Sequence, residues 1–403
     1  MKVVHIQNSM SISGNAAYRL SCYMRKEGID SLVLNISAGP VLPNVYTLTH
    51  SKTRRITAAI NRINRYYKLR RKKQNTYFFT PLPIFGYGIS SNKLLIEADV
   101  IYIHWIAGIL SIQDIRDILN LGKPVIFFMH DMWDFTGGCH HSFTCYQYNT
   151  GCKNCEMFNN NSTPQRQICR LQQLFTNRHN IAFVSPSQWM SDCARKSITT
   201  QGCIVTTIPN LVDVNVFRPI NREYAKIQLG LPTDKKIITF GCQLGTKNHY
   251  KGWVYLRDAI NKINRKDIHI VVYGSDNNSG VSHEIDAPIT FLGHINDELT
   301  LALVCNATDV YVSPSLAESF GLSFLENILC GTPVVGFNNT AIGEIIKHKI
   351  NGYLAQNKDA TDLAEGIKFL LDKSLDVKSS DYSPANVIHQ HLHLIDTLMR
   401  ECK

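Results

Sequence analysis

Short apolar runs rich in Val, Ile, Phe and Tyr recur along the chain, each bounded by turn residues and separated by a helix-like stretch. KVVHIQ, SLVLNI, VIYIHWI, PVIFFMH and IAFVSPS come first. KKIITFGC, IHIVVYG, ITFLG, DVYVSPS and PVVGFN repeat the scheme. A strand that is apolar along its whole length is covered on both faces, as parallel strands are when helices connect them. The alternation therefore predicts a doubly wound α/β chain, in two blocks.

A length of 403 residues is enough for two such domains. The expected boundaries are an N-terminal domain over 1–205, a C-terminal domain over 206–384 and a final helix over 385–403. The segment IPNLVDVNVFRPI joins the two blocks. Open parallel sheets bind ligands outside the carboxyl ends of their strands, so a cleft between the domains is the expected site. No apolar run reaches the roughly 20 residues of a membrane span. The start, MKVVHIQNSM, is too short and polar for a secretory apolar region and predicts a first strand. A cytoplasmic location is the expectation.

The net charge is +10, and its position is informative. Residues 52–73, KTRRITAAINRINRYYKLRRKK, hold ten Lys and Arg and no acid; the rest of the chain has 32 of each sign. This is not the overall basic character of a nucleic-acid binder, and no nucleic-acid partner is expected. Ile56, Ala59 or Ile60, Ile63 and Tyr67 follow helical spacing among the cations. A basic amphipathic helix against an anionic membrane surface is the expectation, with a merely solvated basic face or a nucleic-acid patch as the alternative.

The stretch SLAESFGLSFLENILCGTPVVG, residues 315–336, carries two acids seven residues apart in an otherwise apolar, small or hydroxylic run. A strand ends before it, and a helix begins near Phe320. The amides from Ser319 to Leu322 are then unpaired helix-start donors, suited to an anion. Gly321 permits close approach of a ligand to the backbone, and Glu326 offers a carboxylate to vicinal hydroxyls. The plainer reading has Glu318 as a cap and Glu326 as a surface acid.

This stretch, with VSPS before it and GTPVV after, resembles the E-x(7)-E signature of the retaining glycosyltransferases of family 4. FVSPSQWMSD and IPNLVDVNVFRP are also similar to segments of that family. The resemblance implies a GT-B fold of two Rossmann-like domains facing a cleft, with the C-terminal helix packed back on the N-terminal domain. It implies a nucleotide-diphosphate sugar as donor, Glu318 at the sugar, Glu326 at the ribose, and Ser319, Phe320, Gly321 and Leu322 at the diphosphate. Lys251, in FGCQLGTKNHYKGW, matches the family's phosphate-neutralising lysine. The arginine expected before it is replaced by Tyr250, with Lys247 the nearest cation. Gly14 matches the first loop, with Ser13 where a second glycine is usual. In HDMWDFTGGCHH, His130 is the residue expected to meet a sugar hydroxyl or the acceptor, with Asp131 beside it. Retention by same-face attack needs no metal, and no catalytic cofactor is expected. The resemblance also points to a saccharide or polyprenyl-diphosphate-linked oligosaccharide acceptor, to surface-polysaccharide synthesis and to a peripheral position on the inner membrane face. A GT-B epimerase or phosphorylase, or a nucleotide- or RNA-binding protein, stands as the alternative.

Cys139, Cys145, Cys152 and Cys155 lie within 17 residues. Four thiols at this density read as a structural zinc site, or as an iron–sulfur site, or as reduced or partly disulfide-bonded cysteines.

Overall fold

The apolar runs form parallel strands in a computed structural model that describes residues 1–8, 16–37, 39, 41–48, 51–70, 79–158, 162–241, 249–274, 282–373, 375–377 and 382–402. The chain divides into two units. The first comprises Met1–Ser11, Asn15–Asn210 and Ala385–Lys403; the second runs from Leu211 to Pro384. The division between Asn210 and Leu211 lies inside IPNLVDVNVFRPI, five residues beyond the expected 205/206 boundary.

The strands of the first unit are β1 (Lys2–Gln7), β2 (Asp30–Asn35), β3 (Val45–Thr47), β4 (Val100–Ile103), β5 (Val125–Phe128), β6 (Ile181–Ser185) and β7 (Ile204–Thr207). They pair in the order β3-β2-β1-β4-β5-β6-β7, and every pairing is parallel. The second unit has β8 (Lys236–Gly241), β9 (Ile268–Tyr273), β10 (Ile289–Phe291), β11 (Val310–Ser313), β12 (Val334–Phe337) and β13 (Gly352–Ala355). Their order is β10-β9-β8-β11-β12-β13, again wholly parallel. Central strands are buried on both faces; Val3, Val4, Ile101, Val125, Ile238, Val272 and Val312 are inaccessible. Strand order reverses once in each sheet, between β1 and β4 and between β8 and β11. These are the switch points at which such sheets open a crevice at their carboxyl ends.

The last helix, Pro384–Glu401, buries Val387, Ile388, His391, Leu394, Ile395 and Leu398. It packs on the first unit, where Tyr102 Oη lies 3.1 Å from His391 Nδ1. No helix among the described residues is long and apolar enough to cross a membrane.

The expected basic helix forms over Lys52–Leu69, capped by Ser51, whose side chain accepts from the Arg54 amide. It is mounted by polar groups. Arg54 Nε donates to the Tyr87 carbonyl (3.1 Å) and Lys68 Nζ to the Leu82 carbonyl (3.0 Å). Between them Asn61 Nδ2 donates to the Phe85 carbonyl (2.8 Å), and Asn61 Oδ1 accepts from the amides of Ile84 and Phe85. These three residues recur every seventh position, on one face. Ile56, Ile63, Tyr66 and Tyr67 are each more than half exposed. The helix therefore turns a polar seam inward and an apolar stripe outward, the reverse of an ordinary surface helix.

Asn61→Ala leaves the Ile84 amide and the Phe85 amide and carbonyl without their partner. An unmet buried polar group costs ~1–3 kcal/mol, so we expect a loss of about 2 kcal/mol or more in the unfolding of the first unit, read by urea titration.

Candidate functional site

The β8/β11 switch point holds a lysine and a carboxylate in direct contact. Lys251 follows β8 in a short 3-10 turn, His249–Lys251, and Glu318 lies in the loop after β11. Lys251 Nζ and Glu318 Oε1 are 2.5 Å apart, with both side chains under one-fifth exposed. The two loops are pinned at the backbone. The Leu316 amide donates to the Tyr250 carbonyl at 2.7 Å. Gly252 caps the helix Trp253–Ile263 with φ +75°, and a Cβ there would sit 2.0 Å from the Pro314 carbonyl oxygen. Only glycine allows this left-handed backbone at such proximity. Burial alone would lower the Lys251 pKa. The carboxylate of Glu318, with Tyr250 beside it, outweighs burial and holds the ammonium above its usual range. The cation is therefore fixed and permanent at neutral pH.

Glu318 is itself tied to β12 and the turn after it. Its amide donates to Thr340 Oγ1 (3.0 Å), while Asn339 Nδ2 holds the Ser315 carbonyl (3.1 Å). The next amides, of Ser319, Phe320, Gly321 and Leu322, donate to no acceptor among the described residues. The helix runs over Leu322–Leu329 and is capped by Gly321 at φ +90°, where a Cβ would press on Phe324 at 2.9 Å. It starts two residues later than expected, which places Glu326 in its second turn. Glu326 is 4% exposed, so it is not a solvated surface acid.

In the first unit, the carboxyl ends of β1, β4 and β5 are joined by a histidine chain. His5 Nδ1 lies 2.9 Å from His104 Nε2, and His104 Nδ1 lies 2.9 Å from His130 Nε2. At the other end His5 Nε2 meets Ser31 Oγ at 3.1 Å, which meets Ser21 Oγ, which accepts from Arg25. Each N···N contact holds one proton, so the three rings must donate in the same sense along the chain. His130 is thereby fixed in tautomer through Nε2. Burial lowers the pKa of His130 to about 4 and, with positive neighbours, that of His5 to about 3. Burial and the neighbouring histidines hold His104 well below its usual range.

Asp131, the weaker candidate, is occupied. Its carboxylate accepts from the Trp133 amide (2.8 Å) and from Trp105 Nε1 (2.8 Å), and it pairs with His140 Nδ1 at 2.7 Å. His140 Nε2 in turn meets Thr80 Oγ1 at 2.9 Å. Burial would raise the Asp131 carboxyl; His140 and the Trp133 amide outweigh it and hold it below its usual value. Asp131 braces the loop after β5.

Four thiols, Cys139, Cys145, Cys152 and Cys155, share the wall of one cavity of about 290 Å³, and all are reduced. Among the described residues no three His, Cys, Asp or Glu are placed to hold a metal. Burial pushes the Cys152 thiol up to about 12 and raises Cys155. Cys139 Sγ instead meets Met157 Sδ at 3.9 Å.

The structure thus brings Lys251, Glu318 and the 319–322 amides together, and sets Glu326 behind them on the same helix. It places His130 in the other unit. Gly14 and Lys247 lie outside the described residues. Sequence reasoning did not single out His5 and His104; the available signal was one histidine inside or ending each of two apolar strand runs.

Residues 235–373 match the family described as glycosyl transferases group 1. The chain is 34% identical over 154 residues to an uncharacterised glycosyltransferase of Methanocaldococcus jannaschii, covering 36% of this chain and 37% of that protein. It is 29% identical over 199 residues to the D-inositol 3-phosphate glycosyltransferase of Mycolicibacterium smegmatis, covering 47% of this chain and 44% of that one. The chain therefore aligns with less than half the length of these curated relatives. Among solved structures, Anabaena HepE in complex with UDP and glucose superposes with a TM-score of 0.65 at 15% identity, covering 98% of this chain and 100% of that one. The fold, two parallel-sheet α/β units, is that of the GT-B glycosyltransferases.

Two outcomes follow from the geometry. Gly252→Ala sets a side chain against Pro314 and is expected to lower the second unit's melting temperature by several degrees, read by calorimetry. His5, His104, His130 and His391 are kept neutral by burial, whereas in the unfolded chain they bind protons near pH 6.5. Their contribution is whole above that pH and fades as pH falls toward the folded values, by up to ~1.4 kcal/mol per pH unit for each ring. The stability of the first unit should drop steeply from pH 7 to 5. His391→Leu should shallow that slope, measured by denaturant titration at each pH.

Proposed function

We propose that this protein is a retaining glycosyltransferase that moves a sugar from a nucleotide-diphosphate sugar to a lipid-linked saccharide, in the assembly of a surface polysaccharide. The observation that carries the reading is the contact of Lys251 with Glu318 at the β8/β11 switch point, directly before four successive amides. A departing diphosphate gains charge as the glycosidic bond breaks. A preorganised cation and backbone dipoles stabilise that charge more in the transition state than in the ground state. Lys251 and the amides of Ser319–Leu322 do this here. Glu318 accepts from hydroxyls of the donor sugar, and Glu326 from the ribose. His130, neutral and fixed through Nε2, has Nδ1 available for a hydroxyl. No protein nucleophile is required: the acceptor hydroxyl attacks the face the diphosphate leaves, and the diphosphate takes its proton. The UDP held by HepE supports a uridine nucleotide as the first donor to try.

The acceptor side of the reading rests on the basic helix Lys52–Leu69. Its stripe of Ile56, Ile60, Ile63 and Tyr67 faces solvent among cations, without an acid in the helix. An anionic bilayer covers such a face, with about 1 kcal/mol from each cation near the surface. The enzyme then works peripherally, where a lipid-linked acceptor is presented.

The test is a panel of UDP-, GDP- and ADP-sugars with lipid-linked saccharide acceptors, with product anomers assigned by proton NMR. One donor should yield a product of retained configuration. Glu318→Ala should lower the rate at least about 100-fold while the fold persists by circular dichroism. Release of nucleoside diphosphate with no glycosylated product, or an inverted anomer, contradicts the reading, and an epimerised or phosphorolysed sugar points to another enzyme of this fold.

A further inference from the structure

Beneath the basic helix lies a second, separate cavity of about 270 Å³, within the first unit, lined in part by Lys68, Thr163, Arg166 and Arg170. Its lining holds three cations and no acid. Arg166 and Arg170 stand one turn apart on the helix Thr163–Phe175, and Thr163 opens that helix. The first-turn amides and the helix dipole add positive potential at the same place. Neither guanidinium has an ion-pair or side-chain hydrogen-bond partner among the described residues. The wall is rigid: Gln167 Oε1 accepts from the Leu82 amide (2.8 Å), and Lys68 Nζ donates to the Leu82 carbonyl (3.0 Å). Burial, with Arg170 and Arg166 close by, lowers the Lys68 pKa. Lys68 is half-buried in the hollow, and Arg166 and Arg170 stand exposed at its mouth; three like charges gathered there repel one another, and an anion relieves that.

We propose that this cavity binds a phosphate group, and that the group is the headgroup of a membrane lipid. The chemistry of recognition is a phosphomonoester or diphosphate, for which Arg gives paired hydrogen bonds and Lys a point charge. The lipid source is argued from the surroundings. Ile84 lines the hollow, and Ile84 and Phe85, bonded to Asn61 on the inward seam of the basic helix, are each about half exposed. A free phosphate gains nothing from an apolar surround; a lipid phosphate arrives with one. The inference rests on the membrane part of the proposed function and is independent of the transfer chemistry.

The experiment is vesicle co-sedimentation of the full chain with phosphatidic acid or phosphatidylserine in phosphatidylcholine, at matched surface charge, with a thermal-shift titration of inorganic pyrophosphate alongside. The wild type should bind phosphatidic acid vesicles at least about five-fold better than phosphatidylserine vesicles. The double variant Arg166→Gln/Arg170→Gln should lose that preference. Arg55→Gln/Arg62→Gln, on the exposed helix, should weaken both vesicle types alike and keep the preference. Circular dichroism melts confirm that each variant folds. Equal binding of phosphatidic acid by the wild type and the Arg166/Arg170 variant overturns the site. A pyrophosphate shift lost in that variant, with no lipid preference, reassigns the cavity to a soluble phosphate and overturns the lipid source. Failure of the wild type to bind any vesicle overturns both the lipid source and the membrane reading, and leaves sugar transfer standing.

Discussion

The contact between Lys251 and Glu318 is the constraint on which the second unit's chemistry depends. Two opposite charges, each mostly removed from water, stand 2.5 Å apart. Removing one partner of such a pair typically costs about 3–5 kcal/mol. The pair survives because its geometry is imposed from the backbone, by Gly252 against Pro314 and by the Leu316 amide on Tyr250. The lysine is thereby held charged beside a carboxylate that can bind hydroxyls. One locus thus presents a fixed cation beside an acceptor of hydrogen bonds.

The two sheets use the same architecture for different purposes. Each reverses its strand order once and collects side chains at that point. In the second unit the collected groups are charged. In the first they are neutral histidines in series, with the Asp131–His140 pair bracing the adjoining loop. A neutral, tautomerically fixed imidazole suits hydroxyl positioning, whereas a charged lysine suits a leaving diphosphate. The basic helix adds a third kind of surface, docked through Arg54, Asn61 and Lys68 and left apolar on its outer side.

Much of this was legible in the sequence because the signals were local. The apolar runs became strands, the ELTLALVCNA segment became the helix Glu298–Ala307, and Gly321 marks the start of the acid-bearing helix. The edge strands β3 (VYT), β7 (IVTT) and β13 (GYLA) escaped notice: they lack the continuous apolar run that marks the central strands. The histidine chain escaped because its members are some 26 to 99 residues apart; only the pairing of β1 beside β4 and β4 beside β5 aligns them. The same holds for the ion pair, since Lys251 and Glu318 were each read as facing a ligand and not each other. The spacing of Cys139, Cys145, Cys152 and Cys155 brings four thiols to one cavity wall, but spacing along a loop does not fix where the sulfurs converge.

The proposed role of Lys251, held by Glu318, is to grip the diphosphate. Calorimetric titration of the preferred nucleoside diphosphate into the wild type, Lys251→Ala and Glu318→Gln tests it most directly. Loss of a charge-assisted contact of ~1.5–3 kcal/mol corresponds to an affinity about 10- to 100-fold weaker for Lys251→Ala. Glu318→Gln should retain affinity within a few-fold, because the lysine remains and the carboxylate serves the sugar. Unchanged affinity in a folded Lys251→Ala protein would contradict the claim.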